Sequence, residues 1–178
     1  STRQYVNVDV RDAELCPAYF MQAAEVKIEP SPLWMRRRLH AAGLRGINNI
    51  VDVTNYVLLE VGQPMHAFDY KEISDKTIVV RRARKGETII PLNEKEYELD
   101  ENILVIADKS RPVGLAGVMG GLNSGIKPDT STVLLEAAEF NRENIRRTSR
   151  RLGIRSDSSA RFEKGVDSCT AHLGLMLS

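Results

Sequence analysis

Asn48-Asn-Ile-Val-Asp-Val-Thr-Asn-Tyr-Val-Leu-Leu-Glu-Val61-Gly62-Gln-Pro64-Met-His66-Ala-Phe-Asp69 is the stretch on which the fold turns. Ile50, Val53, Val57 and Val61 recur at helical spacing, and Val51, Leu58 and Leu59 widen the apolar face. The spacing predicts a helix from Asn48 to Val61, with Gly62 after its end and Pro64 beyond. His66 then sits on an extended segment. With the rest of the chain this stretch gives helices and strands in unequal blocks, an α/β mixture of layered sheets and helices.

Upstream, Tyr19 to Glu29 reads as a strand, with Val26 and Ile28 alternating against charges. Ser31-Pro32 opens a helix that Gly43 ends, with Ser31 as the expected cap. Downstream, short β-rich runs appear at Thr77–Arg82, Thr88–Leu92, Ile103–Ala107, Val113–Val118 and Thr132–Ala137, separated by turn-prone stretches such as Lys85-Gly86 and Asn93-Glu94-Lys95. They predict a mixed or antiparallel sheet with hairpins. Asn141 caps a further helix to about Leu152, ended by Gly153, and Ser168 to Ser178 reads as a helix expected to continue past the last residue. The pattern gives layered sheets and helices in one domain over 1–178.

Composition constrains function mainly by exclusion. The chain has 178 residues, 42% hydrophobic and 28% charged, with a net charge of +1, so any nucleic-acid footprint must be local. Two cysteines far apart, Cys16 and Cys169, make neither a disulfide framework nor a zinc pattern and fit a reducing cytosol. His40, His66 and His172 form no cluster with metal-ligand spacing, so no metal and no cofactor are expected. No apolar run has the length of a membrane span, and a cytoplasmic protein without a membrane partner is expected.

Five stretches offer chemistry. His66 follows a helix end, where a histidine can orient water or donate to a carbonyl oxygen, or serve as a half-buried structural group. Ala116-Gly-Val-Met-Gly-Gly-Leu-Asn-Ser-Gly125 allows close backbone approach or a tight turn, but has neither Rossmann nor Walker spacing. Glu136 interrupts the apolar run Val133 to Ala138, and a carboxylate there must be paired, solvated or used. Asn141 to Lys164 carries eight basic residues against Glu143, Asp157 and Glu163. Arg142, Arg146 and Arg150 share a helix face flanked by Arg147 and Arg151, a stripe suited to phosphates or to solvent. Arg36-Arg37-Arg38 with Arg45 is a second basic run. Finally, Gly153 to Asp167 gathers Ser156, Asp157 and Ser158, which either line a pocket or cap a helix.

Four stretches taken together (Ile50 to Asp69, Gly117-Val-Met-Gly-Gly121, Leu134-Leu-Glu136 and Gly153 to Asp167) closely resemble the beta subunit of bacterial phenylalanyl-tRNA synthetases, in its third-and-fourth-domain editing region. The resemblance covers the chain from about Cys16 onward. It implies a three-layer sandwich of two mixed β-sheets packed with helices, excised from a longer beta subunit. It implies a pocket that hydrolyses tyrosine wrongly attached to tRNA(Phe), with His66 as the catalytic group and Glu136 as the acceptor for the tyrosine hydroxyl. Gly120 and Gly121 would form its close wall, and Ser156 and Ser158 the opposite rim. The family commonly has Thr at the position of Ser156, Ala at that of Ser158, and Pro where Ser168 follows Asp167. The implied partners are the acceptor end of tRNA(Phe), tyrosine, the rest of the beta subunit and the alpha subunit of a heterotetramer. Arg142, Arg146, Arg150 and Arg151 would meet the tRNA. No Ser–His–Asp or Cys–His arrangement is evident, so the implied hydrolysis is a water attack organised by His66, backbone N–H groups and the terminal ribose hydroxyl. A non-catalytic tRNA-binding or structural module is the alternative.

Overall fold

In the computed structural model, which describes residues 2–178, three layers are stacked. The middle layer is a three-stranded antiparallel sheet with β10 (Thr132–Glu139) between β2 (Ala18–Glu25) and β3 (Met65–Asp69). One outer layer is a five-stranded sheet ordered β1 (Asn7–Val10), β4 (Thr77–Arg82), β7 (Leu104–Ala107), β8 (Pro112–Leu115) and β9 (Met119–Gly120). It is mixed: β1 runs parallel to β4, and the remaining pairs are antiparallel. The other outer layer is helical. Helices α2 (Asn49–Val61) and α5 (Ser168–Leu177) pack on the middle sheet, and α1 (Leu33–Ala41) packs on α2. Helices α3 (Arg142–Leu152) and α4 (Asp157–Phe162) follow β10 and send Ile145 and Phe162 into the core between the sheets. A small ribbon, β5 (Thr88–Ile89) with β6 (Tyr97–Glu98), completes the fold.

The middle sheet is apolar on both faces because both are covered, and its side chains sort by the two-residue period of a strand. Val133, Leu135 and Ala137 join Ala67 and Ala171 on the helical side. Leu134 and Ala138 join Phe68, Ile106 and Leu115 between the sheets. Glu136 shares the second face and is 7% exposed.

Helix punctuation follows the local chemistry. The Asn48 side chain accepts from the Ile50 and Val51 amides, and α2 ends on Gly62 at φ 77°. Asn141 accepts from the Glu143 and Asn144 amides, and α3 ends on Gly153 at φ 65°. At α1 the expectation is corrected. Pro32 occupies the cap position without a side-chain bond, and the Ser31 hydroxyl donates instead to Asp52 Oδ2 at 2.6 Å. Asp52 is 1% exposed and also accepts from the Ile47 amide at 2.7 Å, so it draws Ser31 away from the helix end and fastens α1's flanks to α2.

Candidate functional site

The turn after α2 decides where His66 lands. Gln63 is fully buried, and its amide donates to the Pro64 carbonyl at 2.8 Å and the Ala138 carbonyl at 3.2 Å. That clamps the turn to the end of β10 and sets the β3 register, in which His66 lies directly opposite Glu136 and Met65 opposite Ala137. Directly opposed residues of an antiparallel pair point to the same side. The imidazole and the carboxyl therefore both face the five-stranded sheet, where they line a cleft of about 80 Å³. Met119 and Gly120 close it from β9, and Ser158 and Phe162 from α4.

The imidazole fits because Gly120 lacks a side chain. A Cβ there would stand 2.1 Å from His66 Cε1 and 2.5 Å from Nε2. The ring also meets Phe68 edge-on, with centroids 4.5 Å apart. Although the residue as a whole is only half-buried, its Nε2 is sealed from solvent and has no hydrogen-bond partner. Burial pushes the His66 pKa down to about 4, so the ring is neutral near pH 7.

Glu136 lies on the other side of neutrality. Burial pushes its pKa up to about 7, against a hydrogen bond from Tyr19 that lowers it. The Tyr19 hydroxyl donates to Glu136 Oε2 at 2.5 Å. Oε1 has no hydrogen bond among the described residues and is not sealed. The site thus joins a neutral imidazole with an unused nitrogen to a carboxyl with an unused oxygen. The open oxygen, Glu136 Oε1, can accept from a ligand or a water molecule.

Of the residues expected from sequence, His66, Glu136, Gly120 and Ser158 come together around the cleft. The Ser158 hydroxyl donates to the Gly117 carbonyl at 3.1 Å. Gly121 does not line the cleft: a Cβ there would meet the Val113 carbonyl oxygen at 2.6 Å, so its smallness serves strand packing beside β8. Ser156 is the cap of α4. It accepts from the Ser159 amide and donates to the Val118 carbonyl at 2.6 Å, which ties α4 to the glycine-rich segment behind the cleft.

The basic stripe lies on the outer face of α3. Arg142, Arg146 and Arg150 are exposed, and none of the three forms an ion pair among the described residues. Arg151 is paired with Asp100. Asn144, Ile145, Thr148 and Ser149 form the buried face of the same helix. Arg36, Arg37 and Arg45 border a groove beside α1, in the helical layer. Sequence reasoning missed Tyr19, Gly117 and Phe162. Gly117 adopts φ 68°, and a Cβ would fall 2.7 Å from Ile145 and 3.0 Å from both Phe140 and Phe162, so it lets α3 and α4 close against the cleft. Its presence in the run Gly117 to Gly121 was the available signal. Tyr19 lies 117 residues from Glu136 in sequence, and nothing local marks it.

Among the described residues there is no helix long and apolar enough to cross a membrane and no His/Cys/Asp/Glu group able to hold a metal ion.

This arrangement has relatives. The sequence model of the B3/4 domain family matches residues 15–177. The chain is 52% identical over 163 residues to the phenylalanine–tRNA ligase beta subunit of Carboxydothermus hydrogenoformans, covering 91% of this chain and 20% of that subunit. It is 51% identical over 170 residues to the corresponding subunit of Bacillus licheniformis, covering 95% of this chain and 21% of the other. The chain spans about a fifth of the length of these curated relatives. In fold it is similar to a solved N-terminal fragment of the phenylalanyl-tRNA synthetase beta-subunit from Pyrococcus horikoshii, with a TM-score of 0.53 at 15% identity, covering 78% of this chain and 44% of that one. The chain belongs to the B3/4 domain family.

Proposed function

We propose that this B3/4 domain is a post-transfer editing module of a phenylalanine–tRNA ligase, hydrolysing Tyr-tRNA(Phe) to free tyrosine and tRNA. The observation that carries the reading is a carboxyl directly opposite an imidazole on one small cleft, with Glu136 Oε1 open and without a hydrogen bond among the described residues.

The chemistry follows from what a phenylalanine site cannot do. A hydrophobic pocket does not strongly reject an isostere that adds only a hydroxyl, whereas a site built to bond that hydroxyl discriminates by ~10⁴–10⁵. Glu136 supplies such a test. A tyrosine hydroxyl donates to Oε1, and phenylalanine leaves the acceptor desolvated and unpaired. The cleft of about 80 Å³ holds a few water molecules and must widen for a ring. Met65 and Met119 are the wall residues with the flexibility to yield.

In the hydrolysis, water adds to the ester carbonyl carbon, the bond to the terminal ribose oxygen breaks, and the water's proton ends on that oxygen. A ring with a pKa of about 4 is a weak proton acceptor at neutral pH. Once the cleft widens, His66 therefore acts as a neutral hydrogen-bonding group that orients the water or the carbonyl, and the ribose hydroxyl and backbone amides complete the site. The exposed arginines of α3 hold tRNA phosphates beside α4 and its cleft-lining Ser158. The further proposed partners are the rest of a beta subunit and an alpha subunit, and the proposed compartment is the cytoplasm.

The test is release of tyrosine from Tyr-tRNA(Phe), with Phe-tRNA(Phe) as control. Preferential release from the tyrosyl ester is expected, weak for the chain alone because a single basic stripe gives little affinity. Equal rates for the two esters, or tRNA binding with no release, refute the editing role. Arg146→Ala and Arg150→Ala are each expected to lower the salt slope of tRNA binding by about 1, and an unchanged slope returns the stripe to solvent.

A further inference from the structure

Tyr19 stands in the site without a role in the hydrolysis, yet its geometry is specific. It is opposite Ala138 in the β2–β10 pairing, and Glu136 is opposite Met21. The two side chains are diagonal neighbours on one face, and the Tyr19 hydroxyl reaches Glu136 Oε2 at 2.5 Å. A carboxyl that is 7% exposed needs a partner, and no lysine or arginine lines the cleft. Among the described residues Tyr19 is the one hydrogen-bond donor to this carboxyl.

We propose that Tyr19 is the positioning residue for specificity: its phenol occupies Glu136 Oε2 and fixes the carboxyl so that Oε1 alone is offered to a phenolic ligand in the cleft. This rests on Glu136 being the acceptor for a tyrosine hydroxyl. A glutamate with three free torsions reads a hydroxyl poorly, because each binding event must order it and either oxygen can answer. A tyrosine already bonded to one oxygen removes that freedom before the ligand arrives, the general advantage of preorganisation. It is also a permanent stand-in for the contact the ligand will make at the other oxygen.

The titratable groups facing Glu136 are few. From β2 and the residues before it come Tyr19 and the Cys16 thiol, which burial and the Glu136 charge push up to about 12. From β3 comes His66, neutral near pH 7. From the opposite sheet Ile106, Gly114, Leu115 and Met119 bring no titratable group, nor do Ser158 and Phe162 from α4. Ligand affinity is therefore expected to rise with pH as Glu136 ionises, and the Tyr19 hydroxyl favours the ionised form.

The experiment is calorimetric titration of the 178-residue chain with L-tyrosine and with L-phenylalanine across neutral pH, for the wild type, Tyr19→Phe and Glu136→Ala. Tyr19→Phe removes one oxygen. It is expected to weaken L-tyrosine roughly 10-fold, about the worth of one hydrogen bond to a charged group, to leave L-phenylalanine nearly unchanged, and to move the midpoint of the pH dependence upward. Wild-type tyrosine affinity with an unmoved midpoint in Tyr19→Phe, while Glu136→Ala loses the preference for tyrosine, overturns the role of Tyr19 alone. Retention of the preference in Glu136→Ala, which has no acceptor, overturns the acceptor reading beneath it. If Tyr19→Phe does not fold, the wild type labelled with 3-fluorotyrosine, a stronger donor, takes its place. The carboxyl-carbon resonance of Glu136 is then expected to titrate at lower pH, and an unmoved titration rejects the proposal.

Discussion

The two faces of β10 are built from one strand, one backbone and nearly the same apolar alphabet, yet they do different things. Toward the helices, Val133, Leu135 and Ala137 pack against Ile50, Ala171 and Leu175, and the buried carboxyl opposite Val133, Asp69, is bonded by the Thr130 hydroxyl at 2.7 Å and the Lys71 amide at 3.0 Å. Toward the five-stranded sheet, Leu134 and Ala138 flank Glu136, and the packing opens into a cleft where Glu136 meets Tyr19 and His66 holds an unpaired nitrogen. The first face spends its burial on stability. The second gives some of that up to hold two polar groups away from water with bonding capacity in reserve, a pattern typical of sites rather than of cores. Contrast this with Arg81 in β4, 9% exposed, whose guanidinium donates to both Glu87 oxygens at 2.7 and 2.9 Å and to the Arg82 carbonyl at 3.0 Å.

The comparison is sharpened most strongly from the helical face. Leu135→Ala removes a side chain that is 5% exposed and is expected to cost about 2–5 kcal/mol of folding stability. The preference for tyrosine over phenylalanine per folded molecule should not move. Urea denaturation with amino-acid binding on the same samples checks both. A changed preference would mean that the two faces are coupled through the strand.

His66→Ala reverses the pattern. Loss of one oriented hydrogen-bonding group at a reacting ester is expected to slow Tyr-tRNA(Phe) hydrolysis by ~10²–10³-fold. Stability should change less than in Leu135→Ala, because the ring leaves a space at an existing cleft rather than in a sealed core. Single-turnover deacylation and a thermal melt decide it. A collapsed melting temperature with normal activity per folded molecule would make His66 a packing residue for Gly120 and Phe68.

Glu136→Ala comes next in size. A hydrogen bond to a charged acceptor is worth about 1.5–3 kcal/mol, so L-tyrosine should bind roughly 10–150-fold more weakly. L-Phenylalanine should bind no worse, since no acceptor is left unpaired. Persistence of the preference would shift attention to Ser158, the hydroxyl on the far rim.

How much of this was legible beforehand depended on range. The helices with local punctuation, α2 between Asn48 and Gly62 and α3 between Asn141 and Gly153, were readable because their stop and start signals are side chains bonding their own backbone. Strand β4 was readable from its β-branched run. Strand β1 was not. Its residues Asn7, Val8 and Asp9 are exposed, and it exists through parallel pairing with β4 seventy residues on, which no local pattern records. Strand β9 is two residues long, and its register is set by β8. The same limit governs the site. His66 and Glu136 each stood out locally, one after a helix end and one inside an apolar run, and the resemblance joined them. The Tyr19 hydrogen bond and the seat of the imidazole on Gly120 are tertiary facts, created when β2 and β9 arrive. Ser31 shows the converse, a sound local expectation overridden by the buried Asp52.

The smallest expected effect belongs to the intact domain, and it arises because the two polar groups of the cleft oppose each other in pH. Glu136 has an ordinary pKa of 4.5 and a folded one of about 7. Between those values the unfolded chain has ionised and the folded one has not, so its contribution to stability is complete below 4.5 and is lost as pH rises through about 7. His66 has an ordinary pKa of 6.5 and a folded one of about 4. Between those values the unfolded chain is protonated and the folded one is not, so its contribution is complete above 6.5 and is lost as pH falls through about 4. Each gap corresponds to on the order of 3 kcal/mol, and over pH 4.5 to 6.5 the two slopes have opposite signs. Their sum should leave the wild type nearly flat in that window. Glu136→Gln keeps an acceptor for Tyr19 and unmasks the rise with pH, and His66→Gln unmasks the fall. Groups such as Glu87 and Asp108, held low by their own hydrogen bonds, titrate alike in all three proteins and drop out of the differences. Urea midpoints measured at both ends of the window give the result. If both variants follow the wild-type pH profile, the cleft does not hold its imidazole and carboxyl out of water, and the contrast between the two faces of β10 fails at its root.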